Sequence, residues 1–341
     1  MEILEPSLGP SVLGAVLYPS CGSVHPLKAM RALALEASRA GVRTVIESEV
    51  IAIERYDKNY VTEACPRGEK WKVTARYTHG DKLRPEEKGD SQQKGTYGVH
   101  TGDTIVIAEE VVIASGGFTD HVLRDLISTI DLDNMKFKSL VTPVVGQMFR
   151  TATVRGEKGK SINYLIAGYD SHEYWESNKL TSPPGVTHER RDDDDGGGWG
   201  DRLTHHLYGK QTPDGRFLFG GDRRVHPPQI PSHAHSLPRN LPELHEGPYN
   251  HAIEILPMIA NLPVEHVWGG VMPFSVDGRP ILGEVGTSGI YVISGLGGSG
   301  FMCGPMTGLL LAYLMSAPEP ELRNQLRDTL APVSPTRFFS T

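Results

Sequence analysis

Residues 290–300 read IYVISGLGGSG, and the apolar run from Phe301 to Ala317 follows without a break. Five strand-forming residues, a run of glycines and a stretch of helix length make a strand–turn–helix unit. Gly295, Gly297 and Gly300 fit G-x-G-x-x-G, with Glu319 and Glu321 downstream at the distance a dinucleotide fingerprint asks for. That reading fails on the next element. A βαβ unit needs a second strand to carry the acid, and here the helix runs into Pro318, Pro320 and a polar tail. The physics of the turn survives. Backbone N–H groups at Ser299, Gly300, Phe301 and Met302 would point out of a helix N-terminus, where they favour negative charge. The plain alternative is a helix–sheet packing turn without a ligand.

A second place has the same design. Val111 to Ala114 is a short apolar strand, and Ser115-Gly116-Gly117 follows it. Two residues without side chains allow close approach of backbone to a ligand. Alone the signal is weak, because many strand-to-helix turns contain glycine. Thr119 or Asp120 is placed to cap a helix through Val122, Leu123, Leu126 and Ile127.

Outward from these turns, the chain begins and ends in α/β texture. Leu13 to Tyr18 reads as a strand, broken by Pro19 to Gly22. Pro26 suits a first helical position, Leu27, Met30, Leu33 and Ala37 keep helical spacing, and Gly41 suits the C′ position. Val42 to Glu47 and Glu49 to Arg55 read as β. Trp71 to Tyr77 and Thr104 to Ala108 are strands of a meander, separated by a polar loop from Thr78 to Gly102. The middle is strand and loop: Val141 to Thr151, Asn163 to Ala167, Leu203 to Tyr208, Phe217 to Phe219 and Val267 to Phe274, with a turn at Pro213-Asp214-Gly215. Pro280 to Leu282 is a further short strand. No internal repeat is visible.

The 341 residues carry 34 Lys and Arg against 41 Asp and Glu, a formal charge of −7, which gives nonspecific nucleic-acid binding no electrostatic support. Cys21, Cys65 and Cys303 lie far apart, so neither a disulfide scaffold nor a CxxC centre is expected. His205-His206 and His233-x-His235 are the tightest histidine groups, and neither has a further ligand at metal spacing. Asp192 to Gly198 (DDDDGGG) lacks the alternation of a calcium loop, and His226 to Pro238 is a Pro- and His-dense loop. No G-x-S-x-G or H-E-x-x-H motif occurs. Phe301 to Ala317 contains Gly304, Pro305 and Gly308, which favours a buried core helix over a membrane span. The N-terminus has no basic and apolar leader pattern, so cytoplasm is the default expectation.

Taken in order, these segments resemble the D-amino-acid oxidase-like flavoproteins, the group of glycine oxidase, sarcosine oxidase and dimethylglycine dehydrogenase-like enzymes. Gly14-Ala15 with Pro19 to Pro26 resembles that family's G-A…P-x-G-x-V-x-P segment. Gly41-Val42 through Val50 resembles its return to the adenine side of FAD. Val111 to Gly117 (VVIASGG), Pro143 to Met148 (PVVGQM), Asp214 to Gly221 and Trp268 to Gly283 (WGGVMPFSVDGRPILG) follow in family order, and Gly295 to Gly300 completes it. The match covers about residues 10–315.

The resemblance implies an α/β plus α+β molecule. It would hold an incomplete FAD/NAD(P)-binding Rossmann-like domain and a β-rich, antiparallel-sheet substrate domain. The cofactor domain is expected over 20–135 and 276–317, the substrate domain over 1–19 and 136–275, and a tail over 318–341. It implies noncovalent FAD, because Gly269, Gly270 and Val271 stand where related enzymes attach the flavin through cysteine. It implies cofactor contacts at Val50, Ser115, Gly116, Gly117, Gly297, Gly298, Ser299, Gly300, Phe301 and Met302. The chemistry implied is hydride transfer from the carbon beside an amine to flavin N5, on a small amine or amino acid. The family's carboxylate-binding arginines fall on Met272 and Gly298 here, so an amino-acid carboxylate has no obvious anchor unless Arg223 or Arg224 provides one; both read more readily as solvated surface charges. Arg279 faces the flavin edge or braces its turn.

The family's opening strand–G-x-G-x-x-G–helix unit has no counterpart before Leu13. An FAD-dependent oxidoreductase, on its own or completed by a complementing N-terminal polypeptide, therefore stands beside a noncatalytic remnant or half of a split enzyme that binds no FAD alone.

Overall fold

The computed structural model describes residues 5, 7–56, 71–77, 103–127, 139–154, 162, 165–169, 202–225, 246–286 and 289–339. Four helices of ten residues or more are used below: α1 (Pro26–Arg39), α2 (Glu246–Ile255), α3 (Gly300–Ser316) and α4 (Pro320–Leu330). The strands are β1 (Ser48–Arg55), β2 (Trp71–Tyr77), β3 (Asp103–Ala108), β4 (Val111–Ile113), β5 (Val141–Thr153), β6 (Ile166–Tyr169), β7 (Arg202–Gln211), β8 (Arg216–Val225), β9 (Val264–Ser275), β10 (Ile281–Glu284) and β11 (Ile290–Ser294).

The strands form three sheets, in the orders β1-β2-β3, β10-β11-β4 and β6-β7-β8-β5-β9. The first and third are antiparallel throughout. In the second, β11 runs parallel to β4, pairing Ile290 with Val111, Tyr291 with Val112 and Val292 with Ile113. Parallel strands are expected to be short and mostly apolar, as VVI and IYVIS are, although Val112 stays 41% exposed. The meander joins this sheet through Ile53 and Trp71, which are buried in one cluster with Ile113, Leu123, Ile127, Val292 and Phe338.

The five-stranded sheet buries one face only. Phe149, Phe217, Phe219 and Leu207 alternate inward from β5, β8 and β7 and pack on Ala252 and Leu256 of α2. The Phe149 and Phe219 rings lie 6.2 Å apart, nearly parallel, and Tyr249 of α2 meets Phe149 edge-on at 5.5 Å. The other face of this sheet stays open and becomes part of the site.

The tail contains a helix, not a strand. Leu330 of α4 packs with Leu282, Tyr291, Leu311 and Leu314. Arg323 donates to the carbonyl oxygens of Met315 and Ala317, each at 3.2 Å, and so satisfies the last turn of α3. Among the described residues no strand follows α3, which agrees with rejecting the dinucleotide fingerprint.

Several expectations are corrected. Leu13 to Tyr18 and Val42 to Glu47 are not strands. Among the described residues no strand pairs with them, and Leu13 is 97% exposed. Neither Thr119 nor Asp120 caps the helix after β4. Helical turns begin at Gly116, and Asp120 instead accepts from Ser139 Oγ and the Leu140 N–H at the start of β5. Of the strand expected at Asn163 to Ala167, the structure describes a strand over Ile166–Tyr169, and residues 163 and 164 lie outside the described residues.

The run after the glycines is helical, but it is not a buried core helix. Only Thr307, Leu311 and Leu314 of α3 are buried, while Phe301, Met302, Met306, Leu309 and Tyr313 are exposed. By length and composition alone, Gly297–Ser316 suffices to cross a membrane. Helix α1 matches its expected spacing and ends at Gly41 with φ of +90°, but it buries no residue. The loops expected at 78–102, 192–198 and 226–238, with His233, His235 and Cys65, lie outside the described residues.

Candidate active site

The two glycine turns sit side by side. Each follows the C-terminal end of one of two adjacent parallel strands, β4 and β11. In α/β sheets such ends open the crevice where ligands bind. A buried polar lock ties the turns together: Thr119 Oγ1 and Ser294 Oγ lie 2.9 Å apart, and they reach the Gly116 carbonyl oxygen at 2.7 and 3.1 Å. Thr119 and Ser294 are almost fully buried, so the hydroxyls satisfy each other and a carbonyl that water does not reach.

Backbone geometry explains the residue choice. Gly116 has φ of +59° and Gly297 of +51°, in the left-handed region that disfavours a side chain. Gly297 also lies under Phe274, where a Cβ would come within 2.5 Å of the ring. A Cβ on Gly117 would meet Val271 at 2.7 Å. Strand β9 therefore lines both turns, and Phe274 bridges to Leu296.

Two features make this a cradle for a polar ligand. Ser115 Oγ is buried and has no hydrogen-bond partner. Helix α3 begins at Gly300 with no side-chain cap at Ser299 and no acidic residue in its first turn, so its amino end keeps its positive potential. Phe301 and Met302 at that end are exposed. An unmatched hydroxyl and an uncapped helix start both favour an anionic, hydrogen-bonding group.

The open face of the five-stranded sheet is reached through β9. Its register places Tyr208, Gly220, Met148 and Trp268 in one row, and Arg223, Gly146 and Gly270 in the next. Trp268 and Tyr208 are exposed, and nothing lies within 4 Å of a Cβ built on Gly270. The floor is tightly packed at Gly220, where a Cβ would overlap Met148, and at Gly146, where it would lie 2.8 Å from Met272 Cε. Two aromatic side chains thus rise from a floor of glycine and methionine.

Arg223 stands where this face meets the glycine turn. Its guanidinium carbon lies 5.3 Å from the Phe274 ring centroid. Its Nη2 is 2.6 Å from the point a Cβ of residue 298 would occupy. Partial burial raises the Tyr208 phenol above its ordinary value, and the Arg223 charge works the other way.

The structure brings together Ser115, Gly116, Gly117, Gly297, Gly298, Ser299, Gly300, Met272 and Arg223. Met272 sits in the floor, with its carbonyl beside Gly117. Val50 lies elsewhere, in a different sheet at a bulge of β1. Arg279 is on an exposed turn. That turn is braced by Arg337, which donates to Asp277 at 2.7 and 3.0 Å and to the carbonyls of Arg279 and Pro280. Tyr208, Trp268, Phe274 and the Thr119–Ser294 lock were not identified from sequence, because only register and tertiary contact assign them. Among the described residues no cluster of His, Cys, Asp and Glu could hold a metal ion.

Comparison with known proteins gives a family. A model described as FAD dependent oxidoreductase (DAO) matches residues 1–314. Sarcosine oxidase subunit beta of Rhizobium meliloti (strain 1021) is 27% identical over 120 residues, 34% of this chain and 26% of that protein. Glycine oxidase from Geobacillus kaustophilus superposes with a TM-score of 0.59 at 20% identity, over 98% of this chain and 64% of that one. L-Proline dehydrogenase from P. horikoshii gives a TM-score of 0.59 at 18% identity, over 99% of this chain and 66% of that one. The matched stretch is about a quarter of the curated relative, and the chain spans under two thirds of the glycine oxidase.

Proposed function

The chain belongs to the FAD dependent oxidoreductase family, and on that premise we propose that it oxidises a CH–NH group of an amine or amino acid, with FAD held noncovalently between its two glycine turns. When bound, the flavin supplies the hydride acceptor. The chain's own residues hold and orient. The observation that carries the reading is the pairing of two glycine turns at the ends of adjacent parallel strands, with Ser115 Oγ of the first turn buried and unmatched.

Under this reading Ser115 Oγ donates to a cofactor oxygen. The backbone of Gly116, Gly117, Gly297 and Gly298 allows the cofactor to lie against the turns. The N–H groups at the start of α3, from Ser299 through Met302, favour negative charge on the reduced ring. Val50 has a weaker claim, because it is placed on the meander. The sheet face floored by Gly146 and Gly270 takes the substrate, with Trp268 and Tyr208 limiting its side chain. The division into cofactor segments 20–135 and 276–317 and substrate segments 1–19 and 136–275 follows the same split between sheets.

A specific observation favours a second form of this reading, in which another polypeptide completes the cofactor site. Leu27, Met30 and Leu33 of α1 and Met302, Met306 and Leu309 of α3 are all at least 46% exposed. Apolar surface of that extent marks an interaction face.

The test is to purify the chain and measure flavin released on denaturation. It is then repeated with the segment of the Geobacillus kaustophilus glycine oxidase that has no counterpart here. About one FAD per chain, with dye reduction by sarcosine, glycine or proline, is expected in at least one preparation. Flavin-free protein in both overturns the reading. Flavin only in the second selects the completed form.

A further inference from the structure

We propose that Ser334 is a phosphorylation site, and that its phosphate draws Arg337 away from Asp277 and so loosens the turn between β9 and β10. The inference is independent of the redox reading. It concerns a segment beyond the family match, and its test needs no flavin.

Arg337 stands at the centre of the device. Its Nε and Nη2 donate to the two carboxylate oxygens of Asp277 at 2.7 and 3.0 Å, and Nη2 also reaches the carbonyl oxygens of Arg279 and Pro280, each at 3.1 Å. Nη1 donates to the Ser334 carbonyl oxygen at 2.9 Å, so the guanidinium already lies against the residue to be modified. The Ser334 hydroxyl is 2.8 Å from Thr336 Oγ1 and accepts from the Thr336 N–H at 3.2 Å. Arg279 supplies a second positive charge, since it and Arg337 both act on the Asp277 carboxylate. A serine phosphate brings about −1.5 to −2 charge at neutral pH and three strong acceptor oxygens. An arginine fork pairs with carboxylate or phosphate alike. The phosphate has the larger charge and sits on the residue that Nη1 already touches, so it is the stronger partner.

The local sequence suits the transfer. Ser334-Pro335-Thr336-Arg337 places a proline directly after the serine and an arginine three residues on. Proline-directed serine kinases take this arrangement, because the serine is held extended and the next residue has no N–H to satisfy. Ser334 is already extended, with φ of −62° and ψ of 141°. It is half-buried and Thr336 is exposed, while Pro335 and Phe338 are buried and Pro335 rests on Gly283. The kinase therefore acts when this short run of 3-10 turns lifts from β10. Turns of this kind have weak hydrogen-bond geometry and open locally at small cost. In the transfer the Ser334 Oγ–phosphorus bond forms and the bond between the β and γ phosphates of ATP breaks. ADP leaves and the hydroxyl proton is released. The consequence reaches the site, because β9 ends at Ser275, just before Asp277, and its Phe274 lies over Gly297.

The test uses the full chain with ATP and a cyclin-dependent kinase, which is a proline-directed enzyme. The site is mapped by peptide mass spectrometry, and melting temperatures are taken near neutral pH with and without the phosphate. Phosphate is expected at Ser334, and the same peptide of Ser334→Ala is expected to stay unlabelled. Phosphorylated wild type is expected to melt about 3 °C or more below the unmodified chain. Arg337→Gln carrying the same phosphate is expected to show less than about half that drop, because its brace is already gone. Absence of phosphate at Ser334 overturns the proposal. A melting temperature that is unchanged or raised by phosphorylation also overturns it. So does a drop as large in Arg337→Gln as in wild type, since the phosphate would then act without the arginine. If Arg337→Gln does not fold, Asp277→Asn takes its place and is judged by the same comparison.

Discussion

Gly297 carries two constraints at once: a φ of +51° and the Phe274 ring where its Cβ would be. A left-handed backbone costs a side-chain-bearing residue roughly 1–2 kcal/mol, before any displacement of the ring. Gly297→Ala is therefore expected to lower the urea-unfolding free energy by about 2 kcal/mol. A loss under about 0.5 kcal/mol, no more than an ordinary surface substitution, would mean the ring and turn are not locked. The Thr119–Ser294 pair is expected to behave as a unit. Thr119→Val and Ser294→Ala should each cost about 1 kcal/mol, and a double-mutant cycle should show coupling, because both hydroxyls serve the Gly116 carbonyl. Additive losses would separate them. Asp277 gives a pH signature. Burial works against its carboxylate, and hydrogen bonds from Arg337 and the Arg279 backbone outweigh that, holding its pKa below the ordinary value. A depressed acid stabilises the fold above its unfolded pKa of about 3.9 and loses that contribution as pH falls through the folded value. The melting temperature of Arg337→Gln should thus lie below wild type near neutrality, with the gap closing only in acid below about pH 4. A gap that stays constant into acid would show that Asp277 is not the partner that matters.

At the scale of elements, sequence disclosed kinds of structure better than their neighbours. IYVIS and VVI were legible as strands because both are short and mostly apolar, and each turn was legible from its glycines. That the two strands pair was not legible, since residues 178 apart in sequence meet only through the tertiary fold. The open sheet face was hidden for the same reason. Gly146, Gly220 and Gly270 are visible as glycines anywhere, but register alone makes them one floor. Apolar composition also misled. Phe301 to Ala317 reads as core, yet a helix apolar all round presents the same residues whether covered or bare. Helix α1 shows the converse: its spacing fixed the helix and left open what its apolar side meets. Because Leu27, Met30 and Leu33 touch no described core cluster, replacing all three by Lys is expected to leave the melting temperature of the chain within a few degrees. Self-association, measured by sedimentation, should fall. A collapse of the melting transition would show that this face is already packed.

For the molecule as a whole, two sheets supply different halves of the proposed site, and β9 lines the glycine turns of the small one. The small sheet supplies the paired turns and the amino end of α3. The large sheet supplies the glycine floor, Trp268, Tyr208 and Arg223. Beyond the family match, Arg337 braces the turn at Asp277 to Pro280, and α4 packs Leu330 against Leu282 and Tyr291.

The most direct measurement is the FAD affinity of wild type, Ser115→Ala and Ser299→Asp, in the preparation that binds flavin, set against their melting temperatures. Aspartate at position 299 caps α3 and puts a negative charge where the cofactor's own is proposed to sit, while alanine at 115 removes a hydroxyl with no partner in the protein. The account predicts that both variants keep or raise the melting temperature and bind FAD about tenfold or more weakly. FAD held as tightly by both variants as by wild type would contradict it.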